Sequence, residues 1–286
     1  MFGFLNIYKP KGKTSHDVVA ILRRITKIKQ IGHTGTLDPF AEGVLPICIG
    51  KATRLIEYLN DDKAYVGTVK LGAKTKTYDL EGEIIERSDK EVSLDKIETA
   101  LMNFRGEIEQ LPPIYSAIKV NGKKLYEYAR KGEEVEIKPR RVNISELKIL
   151  NFDKENKTLE LLISCSKGTY IRSIANDLGE ALGTYGHLIK LMRVKAGDFK
   201  LEDAIHLEDL QTKEAVQEKL IYPLEKLHFP IYELTEYEQE KISHGMAIKP
   251  IQKLEENQML TLTHKGKLSA IASVKGGVIK ACKVLI

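Results

Sequence analysis

Apolar residues recur three or four positions apart in three segments, the spacing that predicts one buried face of a helix. The first helix is predicted to begin with Ser15 as its N-cap, to carry basic residues on its opposite face and to stop at Gly32. The other two are predicted over residues 93–106 and 169–183. The apolar positions are Val18, Leu22 and Ile25 in the first helix, Leu94, Ile97, Leu101 and Phe104 in the second, and Ile171, Ile174, Leu178 and Leu182 in the third.

Alternating apolar and polar residues predict strands between these helices. One strand is predicted over residues 64–72 and another over residues 158–166, and a longer strand-like stretch at 133–152 is broken by Pro139. Strands and helices do not alternate regularly enough for a doubly wound parallel sheet. The pattern therefore favours an α+β fold with a mixed sheet.

The pattern of apolar and polar residues changes near residues 228–234. A short helical piece is followed by three short strands that Lys-Gly and Gly-Gly turns separate. We therefore predict a large domain over residues 1–229 and a small, separate all-β module over residues 230–286.

Composition is that of an ordinary globular protein, with 42% apolar and 30% charged residues. No apolar run approaches the roughly 20 residues that a membrane-spanning helix needs, and the first residues lack the pattern of a signal peptide. Cys48, Cys165 and Cys282 are far apart and form no Cys-x-x-Cys pair, so neither a disulfide nor a zinc site is expected. A cytoplasmic location without membrane association is the expectation.

The excess of positive charge lies at one end of the chain. The first 60 residues contain nine Lys and Arg against four Asp and Glu, whereas the other 226 contain 36 of each. A local basic excess indicates an anionic ligand such as RNA, DNA or a phosphate compound, although a solvated helix face would have the same composition.

A single carboxylate, Asp38, lies among turn-forming residues in the segment GHTGTLDPFAEGVLPICIG, residues 32–50. From the Asp-Pro pair alone, Asp38 would be an ordinary turn or N-cap residue. The segment only superficially resembles a phosphate-binding P-loop, because six residues separate Gly43 from Gly50 and Ala52 follows the lysine. An ATPase or GTPase is therefore disfavoured.

The string GHTGTLDPFAEGVLP resembles the active-site segment of RNA pseudouridine synthases, specifically of the TruB family of tRNA pseudouridine-55 synthases. Four other segments resemble further motifs of this family, and they occur in the family's order. They are NIYKPKGKTSHDVV, KAYVGTVKLGAKTKTYDLEG, LPPIYSAIKVNGKKLYEYARKG and SCSKGTYIRSIANDLGEALG. The tail is similar to a PUA domain. This resemblance implies the pseudouridine synthase fold, in which helices and loops flank a mixed, mainly antiparallel sheet, with a small C-terminal all-β PUA-like domain.

The resemblance also implies a mechanism. Asp38 would be the catalytic carboxylate, Arg172 its partner, and Tyr65 the aromatic residue that stacks on the flipped uracil or exchanges a proton with it. The family's reaction breaks the N1–C1′ bond and rejoins the uracil through C5, which requires neither a metal nor an organic cofactor. Gly35 and Gly43 would allow unusual backbone angles beside the nucleotide. Whether Asp38 attacks the ribose, attacks the base or assists elimination stays open.

The implied substrate is the T-arm stem-loop of tRNA, which the protein would modify as a monomer without guide RNA, protein partner or membrane. An inserted RNA-contacting loop is expected over residues 112–138. The residues expected to contact RNA are His33, Lys9, Gly35, Thr36, Tyr170, Lys119, Lys124, Tyr126 and Arg130.

Two other functions stay open at this point. A guide-RNA-dependent pseudouridine synthase of the dyskerin type shares the catalytic motifs. A protein that only helps tRNA to fold would use the same RNA-binding surface and would not need Asp38, and the two roles are compatible in one chain.

Overall fold

The computed structural model describes residues 1–286. The helices are α1 (Ser15–Thr26), α2 (Leu94–Leu101), α3 (Leu125–Lys131), α4 (Ile171–Leu182), α5 (Lys213–Glu218) and α6 (Glu236–Ser243), with 3-10 turns at Gly50–Tyr58, Met102–Phe104, Leu201–Asp203, Leu207–Asp209 and Pro223–Lys226. The strands are β1 (Gly3–Lys9), β2 (Ile31–His33), β3 (Glu42–Ile49), β4 (Lys63–Leu71), β5 (Ala73–Thr75), β6 (Ile84–Arg87), β7 (Gly106–Gln110), β8 (Lys119–Val120), β9 (Lys123–Lys124), β10 (Arg140–Asp153), β11 (Thr158–Cys165), β12 (Gly186–Ala196), β13 (Phe199–Lys200), β14 (Ile231–Glu233), β15 (Met259–His264), β16 (Lys267–Lys275) and β17 (Val278–Val284).

The main sheet runs in the order β1-β3-β12-β4-β11-β10-β7, with β2 beside β3 and β13 beside β12. Every neighbouring pair is antiparallel except β3 and β12, which pair in parallel over two residue pairs. The predicted α+β fold with a mixed, mainly antiparallel sheet is therefore confirmed. The short parallel crossing is the place where the two halves of the sheet meet.

The alternation along β4 buries the face that carries Tyr65 and Val69, and α4 packs against this face with Ile171, Ile174 and Leu178. Side chains two positions apart share one face of a strand, and side chains three or four positions apart share one face of a helix. The apolar face of β4 can therefore pack against the apolar face of α4. This packing places the first turn of α4 over the sheet.

The second predicted helix is shorter than expected. The α-helix α2 ends at Leu101 and continues only as a 3-10 turn to Phe104. Ile97 and Leu101 are buried as predicted, but Leu94 is 42% exposed. Leu94 opens the first turn of the helix and faces solvent, so its assignment to the buried face is wrong.

Both predicted ends of α1 are also wrong. Thr14 is the N-cap: its Oγ1 accepts from Asp17 N at 3.0 Å while Asp17 Oδ2 accepts from Thr14 N at 2.8 Å, a capping box. Ser15 is buried instead. The helix stops at Lys27, which adopts a φ of 60°, because the chain turns there to enter β2, and Gly32 lies within that strand.

The C-terminal region forms its own sheet in the order β14-β15-β16-β17. The first pair is parallel and the other two are antiparallel. Ile242 of α6 packs with Leu260, Leu262 and Ile279 in a core that belongs to this region alone. The predicted all-β character is confirmed, the predicted short helical piece is α6, and β14 adds a fourth strand to the three expected. The boundary at residues 229 and 230 stays a prediction.

A second apolar cluster crosses that boundary. Leu268, Ile271 and Leu285 of the C-terminal sheet are buried in one cluster with Phe4 and Leu55 of the main domain. Fully burying one such side chain contributes about 1.5–3 kcal/mol. The two sheets therefore share part of a core, and the C-terminal region supports β1 and the turn that follows β3.

No helix in the structure has the length and apolar character needed to cross a membrane.

The shared cluster predicts that a change in the C-terminal sheet is transmitted to the main domain. Ile271→Ala should destabilise the protein by about 2–5 kcal/mol and should speed amide hydrogen exchange in β1 and β3, since Ile271 belongs to the same apolar cluster as Phe4 of β1 and Val44 of β3. Hydrogen-exchange mass spectrometry on the two strands measures this effect.

Ile279→Ala is the matched control, because Ile279 is equally buried but lies in the core of the C-terminal region alone. It should leave exchange in β1 and β3 unchanged. Equal exchange in these strands for both variants would mean that the shared cluster transmits no stability across the boundary.

Candidate active site

Asp38 lies in the loop between β2 and β3, and its neighbours in the chain are held from the side of α1. Ser15 Oγ accepts from Leu37 N at 2.8 Å and lies 3.3 Å from Leu37 O, to which it donates. Pro39 O accepts from Gly12 N at 2.8 Å. The residues on either side of Asp38 are thus fixed, which restricts the directions its side chain can take.

Arg172, in the first turn of α4, brings its guanidinium to Asp38. Nη2 donates to Asp38 Oδ1 at 3.3 Å, and Nε lies 2.9 Å from Oδ2 in a charge contact that is not aligned as a hydrogen bond. The Arg172 side chain is 6% exposed and that of Asp38 is 34% exposed. The pair is therefore closed on the guanidinium side and open on the carboxylate side.

A second carboxylate, Asp79, shares the same guanidinium, and sequence reasoning missed it. Asp79 Oδ2 lies 3.4 Å from Arg172 Nη1, and its side chain is 5% exposed. Arg172 also donates to Thr77 O at 3.2 Å and to Tyr115 O at 3.0 Å. Asp79 stands inside the family-like string TKTYDLEG, but spacing alone did not separate it from an ordinary turn aspartate.

The surroundings of Asp38 act on its pKa in opposite directions. Burial is the largest cause and raises the pKa, and the nearby charge of Asp79 raises it as well. The charges of Arg172 and Lys9 lower it. Because desolvation penalises the ionised form, Asp38 relies on Arg172 to remain a carboxylate.

Tyr65 projects from β4 into the cluster that contains Leu37 and Phe40, the two apolar residues that flank Asp38. It is 7% exposed. Burial raises the pKa of Tyr65, while the positive charge of Arg193 lowers that pKa. The negative charge of Asp38 also raises the pKa of Tyr65, which places the two groups within electrostatic reach of each other.

Lys9, expected to contact RNA, is fully buried. Its Nζ donates to Lys13 O at 2.6 Å, to Pro10 O at 3.0 Å and to Pro39 O at 3.4 Å. Burial lowers the pKa of Lys9 to about 8, and the charge of Asp38 opposes this change. The structure thus places Lys9 behind the Asp38 loop, where it holds backbone carbonyls.

The two glycines expected to have unusual backbone angles differ. Gly43 has a φ of 103°, and a Cβ there would lie 2.3 Å from Arg193 O, so only glycine fits at this crossing of β3 and β12. Gly35 has no positive φ, and a Cβ there would meet Lys63 Cε at an ordinary 3.4 Å. The expectation is correct for Gly43 and wrong for Gly35.

His33 and Thr36 lie on the same segment as Gly35. Thr36 is exposed, and His33 is half-buried with its Nδ1 lacking any hydrogen-bond partner. Burial and the charge of Arg193 lower the pKa of His33, which favours a neutral imidazole. The unpaired ring nitrogen is itself buried.

The base of the inserted segment is tied to the start of α4. Gln110 accepts from Tyr170 N at 2.7 Å and donates to Tyr170 O at 3.1 Å, and Ser173 Oγ donates to Leu111 O at 2.8 Å. Together with the bond from Arg172 to Tyr115 O, these contacts attach the segment to the turn that carries the guanidinium.

The residues expected to bind RNA farther along this segment form a separate group. Lys124 Nζ lies 5.4 Å from the centre of the Tyr126 ring, and Arg130 Cζ lies 5.3 Å from it. Lys119 is exposed on β8. The structure therefore sorts the predicted residues into a buried group around Asp38 and a basic, aromatic group on β8, β9 and α3.

Comparison with known families agrees with this geometry. Residues 23–171 match the model of the TruB family pseudouridylate synthase N-terminal domain, and residues 172–228 match that of the tRNA pseudouridylate synthase B C-terminal domain. The chain belongs to the TruB family. The first match contains Asp38, Tyr65 and Asp79, and Arg172 opens the second.

Relatives cover nearly the whole chain. The tRNA pseudouridine synthase B of Caldanaerobacter subterraneus is 43% identical over 97% of both chains, and that of Clostridium tetani is 39% identical over 100% of both. The protein of the same name from Geobacillus thermodenitrificans is 46% identical over 87% of this chain and 86% of its own.

Solved structures show the same fold at lower identity. A chain in the crystal structure of a Cbf5-Nop10-Gar1 complex has a TM-score of 0.75 and 27% identity, covering all of this chain and 85% of that one. A chain in an H/ACA RNP bound to a substrate RNA containing 2′-deoxyuridine has a TM-score of 0.71 and 25% identity over the same shares. The expected pseudouridine synthase fold is confirmed.

The shared guanidinium predicts a role for Asp79 in this TruB family site. Asp79→Asn keeps the size of the side chain but removes the negative charge that contacts the Arg172 guanidinium. A misplacement of the order of 1 Å can reduce a rate about 100-fold, so we expect pseudouridine formation at saturating tRNA to fall by about 10- to 100-fold. Single-turnover kinetics measures this fall.

Asp177→Asn is the control, because Asp177 of α4 is a partly buried aspartate whose pKa burial raises. Its carboxylate accepts from Asn176 and has no contact with Arg172. We expect a near-normal rate. Equal rates for the two variants would show that Asp79 has no role in the active site.

Proposed function

We propose that this chain isomerises uridine to pseudouridine at position 55, in the T-loop of tRNA, and that it acts on free tRNA as a monomer. The observation that carries the proposal is the Asp38 carboxylate, one-third exposed and backed by the buried guanidinium of Arg172, in a chain of the TruB family. A carboxylate held in this way can act as a nucleophile on a group that enters from the open side.

The chemistry fits a site of this composition. Isomerisation breaks the N1–C1′ bond, forms a C5–C1′ bond, removes the proton from C5 and returns a proton to N1, so atoms balance within the nucleotide. Asp38 would act at the ribose or at the base. Tyr65 lies in the apolar cluster that includes Leu37 and Phe40 of the Asp38 loop, and burial raises the pKa of its hydroxyl.

The RNA would be read by shape. Reaching a stacked uridine requires flipping it out, which costs a few kcal/mol. The basic, aromatic group around Tyr126 offers stacking and phosphate contacts to a folded loop. Its supporting segment begins at the Tyr115 carbonyl that binds Arg172, so a hairpin held there would lie next to the carboxylate.

Similarity to chains from Cbf5-Nop10-Gar1 and H/ACA assemblies favours guide-dependent modification as the second candidate. The sequence relatives favour independent action, because those named tRNA pseudouridine synthase B reach 43% identity over 97% of the chain, against 27% for the assemblies. Activity on a bare transcript separates the two.

The first experiment maps pseudouridine in a T-arm hairpin incubated with the purified chain alone. We expect modification of a single uridine, and none in a variant hairpin whose loop cannot fold as in tRNA, because recognition follows loop shape. Asp38→Asn is the matched protein control. It should bind the hairpin but form less than about one per cent of the product, since losing a nucleophile costs many orders of magnitude.

Two results would contradict the proposal. Equal modification of both hairpins would show that the protein does not recognise the shape of the loop. No modification of the intact hairpin at saturating enzyme would favour the guide-dependent alternative. Gel filtration of the chain with and without the hairpin tests the monomer.

Substitutions at Tyr65 separate stacking from proton transfer. Tyr65→Phe keeps the ring and loses the hydroxyl, whereas Tyr65→Leu loses both. A base–aromatic stack contributes roughly 1–3 kcal/mol, so stacking alone would leave Phe active and Leu impaired. We expect both variants to fail in single-turnover assays, because we expect the hydroxyl to exchange a proton with the uracil. A near-normal rate for Tyr65→Phe would show that the hydroxyl is dispensable.

A further inference from the structure

Arg193 on β12 is fully buried and has no carboxylate among its contacts. Burying a guanidinium without an opposite charge is costly, and apolar side chains of similar size often replace buried ionic groups without loss of stability. The main sheet therefore contains a charge that its packing does not require.

Two of the three hydrogen bonds of this guanidinium go to the loop that carries Asp38, and the third goes to β3, which follows that loop. Nη2 donates to Gly35 O at 3.0 Å and Nη1 to Thr36 O at 3.4 Å, both before Asp38 in the chain. Nε donates to Val44 O at 2.7 Å, after it. One planar side chain thus joins the two ends of the loop.

The bonds fall where the sheet itself is weakest. The parallel contact of β3 with β12 consists of the pairs Met192–Glu42 and Arg193–Gly43 only. Gly43 permits the close approach of the two backbones there. Through its bonds to Gly35 O and Thr36 O, the guanidinium also connects β12 to the part of the loop before Asp38, which the strand pairing does not reach.

Arg193 also acts on the other polar groups of the site. Its charge lowers the pKa of Tyr65 against the effect of burial, and it also lowers the pKa of Lys9, His33 and Lys63. Arg193 thus contacts the backbone around Asp38 and acts electrostatically on Tyr65.

We propose that Arg193 is a positioning residue of the isomerisation, which fixes the chain on both sides of Asp38 and so holds that carboxylate in place. The inference rests on the proposed function. Arg193 touches no reacting atom and acts through Asp38.

The test compares Arg193→Met and Arg193→Lys by single-turnover rate and by tRNA affinity. Arg193→Met should lower the rate about 100-fold, the effect of a small misplacement of reacting groups, while the dissociation constant changes by less than about threefold, since no RNA contact is lost. Arg193→Lys keeps the charge but cannot span three carbonyls, so its rate should fall at least about tenfold.

Arg105→Met is the control for loss of an arginine that binds a backbone carbonyl, at an exposed position. Arg105 Nε and Nη2 both donate to a backbone carbonyl, that of Leu147, at 3.3 and 3.0 Å, and neither residue contacts the Asp38 loop. The control should keep the wild-type rate. Circular dichroism and thermal unfolding establish that each variant is folded.

A wild-type rate in Arg193→Met would overturn the inference. Parallel losses of rate and affinity, or failure of both Arg193 variants to fold, would assign Arg193 to RNA binding or stability and would overturn it as well. Absence of pseudouridine with the wild-type chain would instead contradict the proposed function, so the two failures are distinguishable.

Discussion

The site depends on one buried guanidinium that two carboxylates share. Removing Arg172, Asp38 and Asp79 from water costs free energy, and their mutual attraction offsets that cost only when the geometry is good and the remaining donors are satisfied. Two backbone carbonyls accept the remaining contacts of Arg172. The result is a carboxylate with a fixed direction and one open side.

The rest of the fold brings three pieces of chain to that guanidinium. Packing of α4 on β4 sets the first turn that carries Arg172, and the inserted segment is attached to the same turn through Tyr115. The loop of Asp38 comes from the other half of the sheet and is held by Ser15, Lys9 and Arg193. A shift of the inserted segment would therefore reach the ion pair through a direct bond.

Local patterns predicted the elements, and motif resemblance predicted Asp38 and Arg172. The predictions that were wrong, and the residues that were missed, depend on contacts between distant parts of the chain. Ser15 looks like an N-cap, but its hydroxyl serves the Asp38 loop, and Thr14 caps the helix. Asp79 and Arg193 acquire their roles only when β5, α4 and β12 are assembled, because no spacing in the sequence encodes a shared guanidinium or a crossing of two strands.

The dependence of Asp38 on Arg172 can be measured directly as the pKa of its carboxyl by 13C NMR titration, with the signal assigned from its absence in Asp38→Asn. The account predicts a pKa above that of an ordinary aspartate in the wild-type chain, because burial dominates, and a further rise in Arg172→Met. Exposed Asp153 serves as an internal reference that should not shift. A wild-type pKa at or below the ordinary value, or the same pKa in Arg172→Met, would contradict the account.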